Sequence, residues 1–297
     1  MADRTPAVLL DQLVFPECPR WHDGKLWFSD VHAHRVFSMA TDGEPRIELE
    51  TEDMPAGLGW LPDGRLLVVA MVGRRLMRLD PGGLVQVADL NPFASFHCND
   101  MVVDAQGRAY VGNYGFDLDA GAEATSTNLV CIEPDGDAWV VAEQLLFPNG
   151  MVITDGGRTL VVAESFGQRL SAYDLQPDGS LANPRVWADL RPNVPDGICL
   201  DAAGGIWVAD PVNRGVMRVV QGAGPVEWIP TSRNAYACEL GGDDGRTLYI
   251  CTAESSDPHK TLDLCSGRIE AVRVDIGAPG STAGAGLPST GGPIPLT

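Results

Sequence analysis

Glu17, Asn99, Asn149 and Asp196 are four oxygen-bearing side chains that occupy corresponding places in a repeated phrase of this 297-residue chain. Each lies five or six residues ahead of an Asp-led turn, where an apolar run begins. The same place holds Gly57 and Ala237 in two further repeats, which leaves room around the other four. Two carboxylates and two amides brought together would repel and stay unsatisfied unless a positive charge sat among them. A divalent cation is the simplest such charge. An all-oxygen donor set without Cys or His favours a hard ion, Ca²⁺ first and then Mg²⁺ or Mn²⁺, with Zn²⁺ less suited. Taken singly, each of these residues could instead cap a strand and bond its neighbouring backbone. Their shared register favours the joint reading.

What must position them is the repeat itself. Turns begin at Asp23, Asp63, Asp104, Asp155, Asp201 and Asp243, so the period runs from about 40 to 51 residues. Each turn is followed by an apolar, β-rich run such as LLVVAM (66–71), TLVVAE (159–164) or IWVAD (206–210). Several short strands per unit at this period indicate an all-β, six-bladed propeller with four-stranded antiparallel blades. Equivalent positions of successive blades ring the central axis, so residues up to about 180 positions apart should meet at one mouth of the central channel. The blades are expected over 17–56, 57–98, 99–148, 149–195, 196–236 and 237–277. The first strand of the chain should complete the last blade and so close the ring without a long free edge. Gly and Pro are too frequent, and the apolar groups too short, for any helix to be expected. The propeller is expected to be one domain over 1–277. The uncharged Gly/Pro/Ser/Thr-rich stretch 278–297 reads as a disordered tail.

Composition removes other classes. The net charge is −19, with 40 acids against 21 bases, which argues against a nucleic-acid partner. No apolar run reaches the roughly 20 residues of a membrane span, and the N-terminus makes a poor secretory signal. Seven cysteines without CxxC spacing read as reduced, mostly buried thiols of a cytoplasmic protein. GxSxG and Gly-rich phosphate loops are absent, so neither a serine hydrolase nor a nucleotide site is supported. His32 and His34 are expected on a surface turn, not as a metal pair. A second ring, Asp30, Met71, Asn113, Glu164, Asp210 and Thr252, is expected to serve strand-end hydrogen bonding.

PECPRW (16–21), HCNDMVVDAQGRAYVGN (97–113), FPNGMVITDGGRTLVVAES (147–165), VPDGICLDAAGGIWVAD (194–210) and GRIEAVRVD (267–275) together resemble the SMP-30/gluconolactonase/LRE family. The resemblance runs from about residue 13 to 276 with the motifs in the family's order. It implies a divalent-metal-dependent hydrolase, usually a lactonase, with Glu17, Asn149 and Asp196 as ligands of one metal ion and Asn99 beside it contacting substrate. Asp196 would also be the general base, accepting a proton from the attacking water, with His97 as the competing candidate.

The chain departs from the family pattern at two places. His97 stands where sugar-lactonase members carry Arg, and Asn99-Asp100-Met101 replaces Asn-Asp-Gly. Losing an Arg fork removes donors suited to sugar hydroxyls. A less hydroxylated lactone is therefore expected, with Asn99 and His97 orienting it. The segment 115–128 lengthens the third blade, either as a loop over the site or as surface decoration. The expected partner is a small-molecule lactone, and the expected assembly a monomer or weak homodimer. Two other readings use the same residues: phosphotriester hydrolysis, and a non-enzymatic calcium-binding propeller.

Overall fold

The computed structural model describes residues 4–41 and 43–280. Within them six four-stranded antiparallel sheets succeed one another along the chain and form the blades of a propeller. The innermost strands are Pro16–His22, Pro55–Trp60, Cys98–Val103, Pro148–Thr154, Ile198–Leu200 and Asn234–Gly241. In the first five blades the chain then steps outward strand by strand. The sixth has only three strands of its own. Ala7–Leu13, from the start of the chain, pairs antiparallel with Gly267–Arg273 and becomes its outer strand. Ring closure therefore runs as the repeat implied.

Second strands are buried on both faces, between neighbouring blades as well as within their own. That is why they read as unbroken apolar runs: Leu66–Ala70, Thr159–Glu164 and Ile206–Asp210 are buried at every position. The turn acids do more than form turns. Asp104 and Asp201 each accept two backbone N–H bonds within their own turn. They also hold Arg108 (2.7 Å) and Arg218 (2.6 Å) through their second oxygens.

Two expectations need correction. Helices do occur: Val31–Ala33 makes a turn of 3₁₀ helix, and α1 (Pro258–Leu264) follows the second strand of the last blade. Seven residues are too few to show a 3.6-residue period, but a local start signal was present. Asp257 caps α1 by accepting from His259 N, with Pro258 at the first helical position. The second correction is His32, which is buried, not on the surface. The remaining thiol expectation agrees with the fold: all seven cysteines are free, six of them buried and Cys265 exposed. Of the segment read as a tail, Ala278 is still anchored through its N–H to Gly245 O, and 281–297 lie outside the described residues.

Candidate active site at the mouth of the channel

Side chains on the inner strands reach the axis because those strands are bulged. Pairing between the first and second strands slips between Glu17 and Arg20, Pro55 and Leu58, Cys98 and Met101, Pro148 and Met151, and Ala235 and Ala237. In the remaining blade the ladder starts only at Ile198, just after Asp196 and Gly197. Each irregularity falls at or beside the ring position. A bulge re-aims its side chain, and in four blades the residue so placed (Glu17, Asn99, Asn149 and Asp196) lines the channel, while in the other two Ala56 and Tyr236 line it from the position before.

Glu17, His97, Asn99, Asn149 and Asp196 all line one cavity, which encloses about 780 Å³ including its open mouth. Asn149 hydrogen-bonds Asp196. Its Nδ2 also donates to Ser165 Oγ (3.2 Å), which in turn donates to Pro195 O (2.7 Å). This chain of bonds ties the Asn149 amide to the segment just ahead of Asp196. Glu17 Oε2 accepts the Cys18 N–H at 2.9 Å. Burial pushes both the Glu17 and Asp196 carboxyls well above the usual range, and each is raised further by a neighbouring acid: Asp100 for Glu17, and Glu17 for Asp196.

Below this pair the channel is crossed by an ion pair. Arg20 Nη2 reaches Asp100 Oδ1 (2.5 Å) and Met101 O (2.6 Å), from blade one to blade three. Gly57, on the blade between them, lets the backbones close up: a Cβ there would lie 2.6 Å from Met101 N. Glu239 stands near the same Arg20, whose charge lowers its pKa, although burial wins and pushes it up to about 7. Four acids thus share one guanidinium along the axis. That deficit of positive charge is what a divalent cation held by Glu17, Asn149 and Asp196 would supply, so the residues fit the group. Among the described residues no three His, Cys, Asp or Glu gather as a metal site, here or elsewhere, so an ion at this place would need the Asn149 amide as its third ligand.

The walls are mostly apolar. Phe15 and Phe147 stand two residues ahead of Glu17 and Asn149, as His97 stands two ahead of Asn99. Their carbonyls accept from equivalent N–H groups: Val31 to Phe15 (2.9 Å), Tyr114 to His97 (2.9 Å) and Ser165 to Phe147 (3.1 Å). These two aromatic wall residues were missed from sequence, yet the repeated Phe-Pro ahead of a ring residue was the signal for them. Phe147 also holds φ at 59°, a left-handed conformation unusual for a bulky residue. The second ring explains how these segments are held. Asp30 accepts from Val14 N (3.0 Å) and Phe15 N (2.6 Å), and Glu164 from Leu146 N (2.9 Å). Its carboxylates therefore staple the linkers that enter the site.

His32 stacks on Phe15 with ring centroids 4.7 Å apart, and its Nδ1 lies 2.8 Å from Thr261 Oγ1 of α1. The last blade's helix is thereby tied over the first blade. His34 takes a different partner, its Nδ1 lying 3.1 Å from Glu52 O. Burial holds the His32 pKa down at about 4, against an ordinary 6.5. The unfolded chain binds a proton there from pH 6.5 downward while the folded chain resists it. Stability is therefore complete above pH 6.5 and falls by about 3 kcal/mol as pH drops through 4. Thermal melting from pH 7.5 to 4.5 should fall more steeply for the wild type than for His32→Gln. Parallel curves would remove His32 from that account.

The extra segment of the third blade comes over the site: Leu118 and Asp119 both line the cavity. Burial raises the Asp119 carboxyl, offset in part by the nearby His97. Burial lowers the His97 pKa, and His97 stacks on Phe96 at 4.1 Å.

Comparison with known proteins places this geometry. Zebrafish (Danio rerio) regucalcin is 25% identical over 248 residues, covering 80% of this chain and 82% of its own. The pentonolactonase XacC of Haloferax volcanii is 27% identical over 249 residues, covering 80% and 81%. The structure of a luciferin-regenerating enzyme superposes with a TM-score of 0.80 over 94% of this chain and 98% of its own, at 16% identity, a likeness of fold. The profile of the SMP-30/Gluconolactonase/LRE-like region matches residues 15–254. With that profile spanning most of the propeller, ring positions included, the chain belongs to the SMP-30/gluconolactonase/LRE-like family.

Proposed function

We propose that this protein is a metal-dependent lactonase, which opens a cyclic ester to its hydroxy acid at the mouth of the central channel. The observation that carries the reading is the Glu17–Asp196 pair in the cavity, with Asn149 hydrogen-bonded to Asp196 and too little positive charge nearby. Glu17, Asn149 and Asp196 would hold one divalent cation, with Ca²⁺ best suited to an all-oxygen set. When bound, the cation polarises the ester carbonyl and makes water a better nucleophile. Asp196 accepts the proton of the attacking water, since a carboxylate can serve a second partner through its other oxygen. Water oxygen bonds to the carbonyl carbon, the ring C–O bond breaks, and the departing alkoxide takes up the proton. Asn99 presents an amide donor from the cavity wall to the lactone, and His97 borders the substrate on the mouth side.

The test compares the protein as purified, stripped with a chelator, and reloaded with Ca²⁺, Mg²⁺ or Mn²⁺, on a panel of lactones. Stripping should lower kcat/KM at least about 100-fold, and one of the ions should restore it. Equal rates with and without metal would refute the mechanism. Metal binding without turnover of any ester would favour the calcium-binding scaffold, and faster phosphotriester cleavage the alternative hydrolase.

A further inference from the structure

Resting on the lactonase reading, we infer that the substrate is a neutral lactone whose ring carries an apolar substituent, not a sugar lactone. The substituent lies against the aromatic wall and emerges over an apolar rim.

Three features of the cavity carry this. No Lys or Arg lines it, so a phosphorylated or carboxylated lactone finds no counter-charge on the wall beyond the cation that polarises its carbonyl. The three equivalent wall positions ahead of ring residues hold Phe15, His97 and Phe147, all flat rings. Two of the polar groups on the wall are already engaged: His32 with Thr261, and Tyr236 Oη with Asn234. A hydroxyl brought against the aromatic rings would lose its water without replacement, whereas an alkyl or aryl group there loses none.

The aromatic wall continues outward. Tyr114 stacks on Phe147 at 4.4 Å, and Phe147 and Phe116 in turn meet Phe166 at 5.4 and 5.1 Å. Phe166 is 45% exposed at the mouth. It is part of a pattern. Among the described residues, exposed large apolar side chains occur in only two settings. One is the strands at the blades' outer edges, as with Val8, Ile47 and Trp228. The other is the set of connections that follow the second strands of blades two to six, all on the face bearing the cavity: Val72, Leu118, Phe166, Val212, Leu262 and Leu264. The connections on the opposite face contribute none. An apolar path thus leads from the acidic floor to the rim, and Leu118 belongs to both cavity and rim.

The experiment measures kcat/KM for δ-lactones with side chains from none to seven carbons, with glucono-δ-lactone as the sugar reference. Each methylene buried against the wall should raise kcat/KM about fourfold, until the chain passes the rim. δ-Decanolactone should then exceed glucono-δ-lactone by more than about tenfold. Leu118→Ser and Phe166→Ser should flatten the gradient by shortening the apolar path. A flat series, or preference for the sugar lactone, overturns the inference while leaving the lactonase reading intact. The matching alkyl δ-lactams, which are not hydrolysed, separate the two claims by calorimetric binding. If no lactone turns over but lactam affinity still rises with chain length, the reaction is wrong and the apolar site stands. Lactams that bind without any chain-length dependence, or not at all, would overturn the inference.

Discussion

Asp196→Asn should lower kcat on the preferred lactone by about 10³-fold while leaving the metal-stripped protein at least as heat-stable as the wild type. The two halves of this result have one cause. Asp196 is partly buried in the same cavity as Glu17, and the carboxyls of both are raised by burial and by neighbouring negative charge. Replacing one by an isosteric amide removes repulsion and keeps the shape, so folding does not suffer. It also removes a ligand and the proton acceptor, so chemistry does. Adding metal should then separate the proteins in the opposite direction. Wild type at a metal concentration 100 times its Kd gains about 2.7 kcal/mol, and the variant gains little. The measurement is paired: single-substrate kinetics, and thermal melts with chelator and with metal. Retained turnover with an unchanged melt would exclude Asp196 as base and as ligand.

Gly197→Ala should lower Tm on the order of 5–10 °C and suppress turnover as well. A Cβ on Gly197 would lie 2.5 Å from Ala237 Cβ and 2.7 Å from Ala237 Cα, so the inner strand of the last blade has to move. Gly150 is in the same position one blade earlier, with Ile198 N 2.5 Å from its added Cβ. Overpacking of this kind costs about 3 kcal/mol where backbone rather than a flexible side chain must yield. It also displaces the adjacent ring residue, Asp196 or Asn149, so activity falls further than the loss of folded protein explains. Gly82→Ala is the control, because nothing lies within 4 Å of its added Cβ. A Gly197→Ala protein that melts and turns over like wild type would show that the inner strands tolerate separation, contrary to this account.

The two glycines show how far sequence reading reaches. Asn149-Gly150 and Asp196-Gly197 look like turn dipeptides, and in isolation they would be read as such. In the structure neither has a positive φ, and both sit where inner strands of successive blades touch. Their role is close approach, which no local pattern states. Phe15 and Phe147 were legible in principle, since they share the register of His97. They were overlooked because an apolar residue before a strand is expected to be core. His32 was misplaced for a different reason: its burial depends on α1, which follows it by more than 220 residues and supplies Thr261. Likewise, Leu118 lines the cavity only because the third-blade insertion folds back over the mouth.

By itself the sequence determined the six-fold repeat, the closure of the ring by the first strand, and the register that singles out Glu17, Asn99, Asn149 and Asp196. Such features recur at fixed spacing, and the period of a β-blade is a local property of turns and apolar runs. Only the tertiary structure decided what those four residues face. Their direction comes from bulges in strand pairing, and their unbalanced charge from the Arg20–Asp100 pair across the axis. The apolar walls come from rings contributed by separate blades. Each of these arises from groups far apart in the chain, and burial gives them their energies only once the ring is closed.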